Sequence, residues 1–164
     1  MPRKGMVLSI LIGCSLLTSG CWDAEDINTK SLMTLFAVDW QDDQYVFTVE
    51  IPNLAMGQSQ EGGGKEQYAV VSGKGTTFAA ARQDLDDKLD KPGFLGTVRT
   101  LVLTDELAKE GIEGYMYRVQ SLKDYRKAIK VIITFDEIED LLGAEPENNM
   151  SVGYSIEETI SALT

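Results

Sequence analysis

The residues best placed for chemistry lie near the start of the chain, where Cys21 follows the small residues Thr18-Ser19-Gly20. Basic residues Arg3 and Lys4 and an apolar run from Met6 to Leu17 precede them. This run is shorter than the roughly 20 apolar residues of a membrane-spanning helix. Basic residues followed by a short apolar core and small residues are typical of a secretory signal peptide. A cysteine directly after them is typical of bacterial lipoproteins, in which its thiol receives a diacylglyceryl group.

We therefore expect residues 1–20 to be a lipoprotein signal peptide, with cleavage between Gly20 and Cys21 and lipidation of Cys21. The usual lipobox has leucine three residues before the cysteine, where this chain has Thr18. The segment Leu11-Ile12-Gly13-Cys14 fits that box better, but it leaves an apolar core of about two helical turns. Two alternatives remain open: an ordinary signal peptide without a lipid, and an uncleaved interfacial anchor.

Composition excludes several classes of function. Lys and Arg number 15 against 26 Asp and Glu, a net charge of −11, and a nucleic-acid binder needs a positive face. The chain has no histidine, which removes the commonest general base, the Ser-His triad and most zinc sites. We expect no catalytic residues, no metal and no cofactor. Cleavage after residue 20 would make the chain more negative still, so an anionic membrane would repel it and a lipid would supply retention.

Two further segments carry residues of chemical interest. Gly62-Gly63-Gly64-Lys65 has Ser59 and Glu66 where a phosphate-binding P-loop needs Gly and Ser or Thr, so we interpret it as a flexible surface loop. A group of carboxylates lacks the alternating spacing of a calcium-binding loop and indicates a solvated helix face. Its members are Asp84, Asp86, Asp87 and Asp90.

The apolar pattern predicts five strands, of which the first two form a hairpin across the polar link Asp39–Gln44. Asp42-Asp43 belongs to its turn. The predicted strands are Leu32–Val38, Tyr45–Ile51, Tyr68–Ser72, Val98–Leu103 and Ala128–Thr134. Because the hairpin precedes the first helix, the order departs from a simple β-α-β alternation. We predict an α+β fold with a mainly antiparallel β-sheet and helices packed against it.

Helical spacing is clearest in the stripe Phe78, Ala81, Leu85 and Leu89, with Thr76 as the predicted cap. Further predicted helices begin after Thr104, along Ile112–Leu122, over Asp136–Leu142 and at the capping box Ser155-Ile156-Glu157-Glu158. In the third of these five helices we expect Tyr115 and Met116 to face the core and Tyr117 to be exposed. The predicted organisation is a tether over 21–30, an amino-terminal α+β domain over 31–143, and over 144–164 a linker and the start of a further, missing domain.

Several segments, in order along the chain, resemble one family. They are Gly20-Cys21-Trp22-Asp23, Glu25-Asp26-Ile27-Asn28, Ala37-Val38-Asp39, Tyr45–Asn53, Val71–Phe78 with Ala81-Arg82, and Leu101–Ile112. Together they resemble the spore germination lipoproteins of the Ger(x)C family. The resemblance covers nearly the whole chain, although that family often has Gly-His before the basic residue where this chain has Gly96-Thr97-Val98-Arg99. Its members are much longer, so the resemblance implies that this chain holds the amino-terminal domain and the start of the next, as a truncated gene product, a fragment or half of a split gene.

The resemblance implies a function. Proteins of this kind are the C subunits of nutrient germinant receptors, lipid-anchored on the outer face of the spore inner membrane beside integral-membrane A and B subunits. We expect a non-enzymatic subunit whose partners are the membrane, through its lipid, and those two subunits. The alternative is a solute-binding lipoprotein that captures a small germinant directly, and a third hypothesis, a cell-wall hydrolase, would need two carboxylates across a cleft.

Overall fold

The computed structural model describes residues 26–52, 68–121, 125–144 and 151–163. Its strands are β1 (Ser31–Leu32), β2 (Leu35–Gln41), β3 (Gln44–Pro52), β4 (Tyr68–Gly75), β5 (Gly93–Phe94), β6 (Thr100–Thr104) and β7 (Lys130–Thr134). Its α-helices are α1 (Phe78–Lys88), α2 (Asp105–Glu110), α3 (Glu113–Ser121), α4 (Ile138–Leu142) and α5 (Val152–Ala162). Single 3-10 turns lie at Ile27–Thr29 and Leu95–Thr97.

The main sheet has five strands in the order β4-β3-β2-β6-β7, and β1 and β5 form a separate parallel pair. The longer ladders, β2–β3 and β3–β4, are antiparallel, whereas β2–β6 and β6–β7 are parallel. The parallel pairs arise because α1 lies between β4 and β6, and α2 and α3 lie between β6 and β7, so each connection is a helical crossover. The predicted α+β class is confirmed, and the sheet is partly parallel.

The predicted hairpin is present, with a tighter turn than the sequence indicated. Gln41 pairs with Gln44, so only Asp42 and Asp43 form the loop. Both have positive φ, 50° and 59°, the conformation that a two-residue turn needs to match the twist of its strands. Aspartate tolerates this region better than most residues. The predicted link was longer because the polar residues Asp39–Gln44 extend into the strands.

Two predicted helix caps were wrong. Thr77 rather than Thr76 caps α1, and its hydroxyl accepts a hydrogen bond from the Ala80 N–H at 3.1 Å. Helix α5 begins one turn before the predicted capping box, because Ser151 caps it by accepting from the Tyr154 N–H at 3.1 Å. Ser155 therefore lies inside the helix. The predicted start of α2 after Thr104 is confirmed, and the helix ends at Gly111.

Alternate residues of the central strands enter two separate cores, as the pleat requires. The front face, which α1, α2 and α3 cover, holds the larger core, including Phe36, Phe47, Leu85, Leu101, Leu107, Tyr115 and Val119. The back face, which α4 and α5 cover, holds the smaller core of Leu35, Ala37, Val102, Ile138 and Val152. Helix α5 lies in the segment assigned to the linker and a further domain, and it packs on this sheet.

Glycine lets helix α1 approach β4 closely on the front face. A Cβ atom at Gly73 would meet the backbone nitrogen of Leu85, and one at Gly75 would meet that of Ala81. A helix packed so near a strand leaves no room for any side chain at these two positions. The backbones of β4 and α1 are therefore in direct contact at Gly73 and Gly75.

Candidate functional site

The predicted lipidation site lies outside the described residues. Gly20 and Cys21 precede the first described residue, Asp26, so cleavage and lipidation stay predictions. The carboxylate of Asp26 caps the 3-10 turn, and Lys91 Nζ holds this turn against the domain by donating to the Asn28 carbonyl at 2.7 Å. Since an extended residue spans at most about 3.6 Å, Cys21 lies within about 18 Å of Asp26.

The other segments singled out from sequence have structural partners where the structure describes them. Asp84 on α1 accepts hydrogen bonds from Lys88 Nζ and the Lys74 N–H, both at 2.7 Å, and the pKa of its carboxyl is lowered, first by Lys88 and then by Lys74. Asp86 pairs with Arg82 at 2.8 Å. Within the described ranges, no group of three or more Asp, Glu, Cys or His residues is arranged to hold a metal ion. The glycine-rich run 62–65 lies outside the described residues.

The aromatic segment of α3 divides as predicted between core and solvent. Tyr115 is buried, and its hydroxyl lies 2.9 Å from that of Tyr125. Burial, and then the neighbouring Tyr125, raise the pKa of Tyr115 well above the ordinary value of 10.0. Met116 packs half-buried against the front core, and Tyr117 is 73% exposed. Tyr117 is therefore the residue of this segment that can meet a partner.

A polar cleft of about 380 Å³ lies beside the carboxyl ends of the parallel strands β2, β6 and β7. Open sheets with parallel strands commonly bind ligands at this edge. Its lining is mostly acidic: Asp39, Gln41, Asp42, Thr104, Glu106, Phe135, Asp136 and Glu137. Asp39 itself is buried, and its carboxylate already accepts hydrogen bonds from the Thr104 hydroxyl, the Trp40 N–H and Gln41 Nε2. The negative charge that the cleft offers to a cation therefore comes from its other carboxylates and not from an unpaired buried charge.

The most elaborate polar site joins the sheet to helix α5. Glu50 on β3 is buried, and its carboxylate accepts from the Val152 N–H at 2.8 Å, the Gly153 N–H at 3.2 Å and the Thr34 hydroxyl at 2.6 Å. A carboxylate at a helix N-terminus satisfies free N–H groups and interacts favourably with the helix dipole. Glu50 thus anchors the first turn of α5 to the sheet, and we call this arrangement the Glu50 anchor.

Three further features near the Glu50 anchor are consistent with α5 being held close to the sheet. Burial, and then the negative charge of Glu50, raise the pKa of Tyr68. The Thr100 hydroxyl donates to the Gly153 carbonyl at 2.8 Å. A Cβ atom at Gly153 would lie 2.5 Å from the Thr34 carbonyl oxygen, so only glycine lets α5 come this close to the sheet.

A second polar contact holds α5 one turn further along. Glu157 pairs with Arg126 at 3.0 Å and with Arg99 at 3.3 Å. The Arg99 guanidinium lies 4.5 Å from the centre of the Tyr154 ring and donates to the Tyr154 hydroxyl at 2.8 Å. Arg99 is the basic residue that follows the position where the resembling family often has histidine. Its structural partner here is α5.

Sequence reasoning missed the Glu50 anchor, although one signal was present. Glu50 is the only charged residue in the strand segment Tyr45–Pro52, and an acid on a face that becomes buried needs a partner. Its partners lie more than 100 residues away, at Val152 and Gly153. Spacing along the chain gives no indication of a pair so distant.

The front side of edge strand β7 carries an apolar row that the described part of the chain leaves uncovered. Val131 is 40%, Ile133 46% and Phe135 85% exposed. Val131 and Ile133 pair with Leu101 and Leu103 and so lie on the front face. Among the described strands, β7 pairs only with β6. We call Val131, Ile133 and Phe135 the β7 row.

Comparison with known proteins places this architecture in a family. The family model of the spore germination protein N-terminal domain matches residues 23–163. The chain belongs to this family. The match includes both faces of the sheet and helix α5, so the two cores and the Glu50 anchor lie within one family domain. The resemblance to spore germination proteins inferred from sequence is confirmed.

Two relatives from Bacillus subtilis (strain 168) support the same assignment. The chain is 28% identical over 144 residues to the spore germination protein YfkR, covering 85% of this chain and 37% of that protein. It is 24% identical over 127 residues to spore germination protein KC, covering 74% of this chain and 31% of that protein. The chain thus spans about a third of the length of either relative. No solved structure matches it. None of the helices in the described ranges has the length and apolar character needed to cross a membrane.

Proposed function

We propose that this spore germination family member is a lipid-anchored, non-enzymatic subunit of a nutrient germinant receptor on the outer face of the spore inner membrane. The observation that carries the proposal is the family match over residues 23–163, which begins two residues after Cys21. A signal peptide over 1–20 would leave Cys21 as the first residue, two residues before the matched region begins.

Geometry supports a domain held close to the bilayer. The 3-10 turn that Asp26 caps is tied to the domain, because Lys91 donates to the Asn28 carbonyl of that turn. A lipid on Cys21 is joined to Asp26 by a segment of at most about 18 Å. Two or three acyl chains hold a protein firmly on a membrane, and one chain alone does so weakly. Confinement at this short distance raises the effective concentration of the domain beside membrane partners, which we propose to be integral-membrane A and B subunits.

The experiment compares spores carrying Cys21→Ala, Cys14→Ala or a deletion with wild type. We expect Cys21→Ala to leave the membrane fraction and to match the deletion in slow nutrient-triggered loss of refractility, while Cys14→Ala behaves as wild type. If Cys14→Ala rather than Cys21→Ala lost the anchor, the lipidated residue would be Cys14. A deletion that germinates normally would contradict the receptor-subunit proposal.

A second candidate function, direct capture of a small germinant, is favoured by the cleft at the carboxyl ends of β2, β6 and β7. Its acidic lining suits a germinant that carries an ammonium group. A thermal-shift screen with amino acids and sugars tests this, since a ligand that binds only the folded state raises the Tm. We expect an amino acid that binds the cleft to lose its shift in Glu106→Gln. Shifts that persist in that variant would contradict binding there.

A further inference from the structure

Edge strand β7 combines two features that favour strand pairing. Its outer edge carries backbone N–H and C=O groups that no described strand pairs, and exposed edges of this kind template the addition of another strand. The β7 row adds three exposed apolar side chains, with Phe135 at 85%. Aromatic side chains bury about 150–250 Å² each and dominate interface energetics. This edge is therefore a surface for a partner strand.

We propose that the partner is a second copy of this chain, paired antiparallel through β7 about a two-fold axis at Ile132. In this register Val131 of each copy lies opposite Ile133 of the other, so these two members of the row contact each other across the axis. Lys130 lies opposite Thr134 and diagonal to Asp136 of the second copy, within reach of its long side chain. The opposite charges flank the apolar centre on both sides of the axis.

Charge complementarity selects a second copy as the occupant. Lys130 begins β7, and Asp136 follows its end. Antiparallel pairing of two copies therefore brings Lys130 of each copy near Asp136 of the other, which gives two such pairs in the dimer. A parallel pairing of the same strands would place like charges side by side. The edge strand is short, so the contact falls below the roughly 1,200–2,000 Å² of a stable interface and forms a reversible dimer.

Charge exchange tests this pairing. Full-length protein, purified in mild detergent from membranes of an expression host, is examined by sedimentation equilibrium up to about 1 mM, which reaches the weakest specific complexes. We expect wild type to dimerise, and Lys130→Asp and Asp136→Lys to lower the association constant about tenfold each. The double variant K130D/D136K should recover it, because the pair is restored across the axis. Unchanged circular dichroism confirms that each variant folds.

Three outcomes overturn the proposal: a wild-type monomer at about 1 mM, a double variant as weak as the single ones, or a dimer insensitive to both charges. Association that survives only with another protein present would assign the edge to a different partner. None of these outcomes depends on germination, so the dimer and the receptor role are tested separately.

Cysteine cross-linking supplies a matched control. Ile133 is 46% and Val70 52% exposed, and they lie on the opposite edge strands β7 and β4. In the proposed dimer the two Ile133 positions are diagonal neighbours about 7–8 Å apart. A short bismaleimide should therefore cross-link Ile133→Cys and leave Val70→Cys at the wild-type background. Equal cross-linking of both variants would contradict pairing through β7.

Discussion

The two faces of the sheet are closed by different kinds of interaction. On the front face the aromatic rings pack against one another. The ring centres of Phe36 and Phe47 lie 5.2 Å apart, and those of Phe78 and Tyr115 lie 5.3 Å apart. On the back face a smaller apolar core is supplemented by the buried carboxylate of Glu50, which binds the first turn of α5. Apolar burial is non-directional, whereas a carboxylate fixes where a helix begins and how it is oriented. The front face therefore supplies most of the stability, and the back face sets the position of α5.

The largest effect is expected from breaking the front face. Phe36→Ala removes a fully buried ring and should lower the free energy of unfolding by about 3–5 kcal/mol. Urea denaturation followed by circular dichroism measures it. Phe135→Ala, which truncates an 85% exposed ring, is the control and should change stability by less than about 0.5 kcal/mol. Equal losses in the two variants would contradict the assignment of the core.

The next largest effect should come from removing the Glu50 anchor. Glu50→Ala leaves the Val152 and Gly153 N–H groups and the Thr34 hydroxyl without their partner, at a cost of about 1–3 kcal/mol. Hydrogen exchange should accelerate in α5 and stay unchanged in α1.

The exposed Glu158 on the same helix serves as the control for Glu50, because Glu158→Ala removes a carboxylate that faces solvent. We expect α5 exchange in Glu158→Ala to match wild type. If Glu50→Ala accelerated exchange equally in α1 and α5, the two faces would be one cooperative unit, and the comparison between them would be wrong.

A smaller effect should follow from weakening the second contact of α5. Glu157→Gln removes the charge that Arg99 and Arg126 share, and because all three side chains are partly exposed we expect a loss of about 1 kcal/mol or less. Raising the salt concentration should reduce the difference from wild type, because ions screen such pairs. A difference that does not change with salt would show that packing of the Glu157 side chain, rather than its charge, is what matters.

The smallest effect concerns a front-face surface pair. The Lys88 hydrogen bond, with the Lys74 N–H second, holds the pKa of Asp84 below 3.8. Because this pKa is lower in the folded state, its contribution to stability is present above the unfolded pKa and is lost as pH falls through the folded pKa. Carboxyl titration by NMR should show the pKa of Asp84 rising in Lys88→Met. Lys91→Met is the control, and an equal rise there would contradict a specific pair.

Much of the front face was predictable because its signals are local. The stripe Phe78, Ala81, Leu85 predicted α1, and Ala81 and Leu85 are its buried residues. The hairpin followed from alternation and a polar link. Predicted helix boundaries differ from the observed ones by a residue or more where two neighbouring residues can both cap the helix, as Thr76 and Thr77 can. The back face was less predictable, since the capping box at Ser155 is a local signal that the cap at Ser151 overrides.

Sequence alone determined the α+β class, the order of the main-sheet strands and the helices, and the family, because these depend on periodicity and on segments read in order. Tertiary structure decided which strands are parallel, which acids are buried, and where α5 begins. The Glu50 anchor joins positions about 100 residues apart, and such a pair has no local pattern. The physical reason is that a buried carboxylate is stable only where the fold brings N–H and O–H donors to it. These donors reach Glu50 only after the sheet has formed.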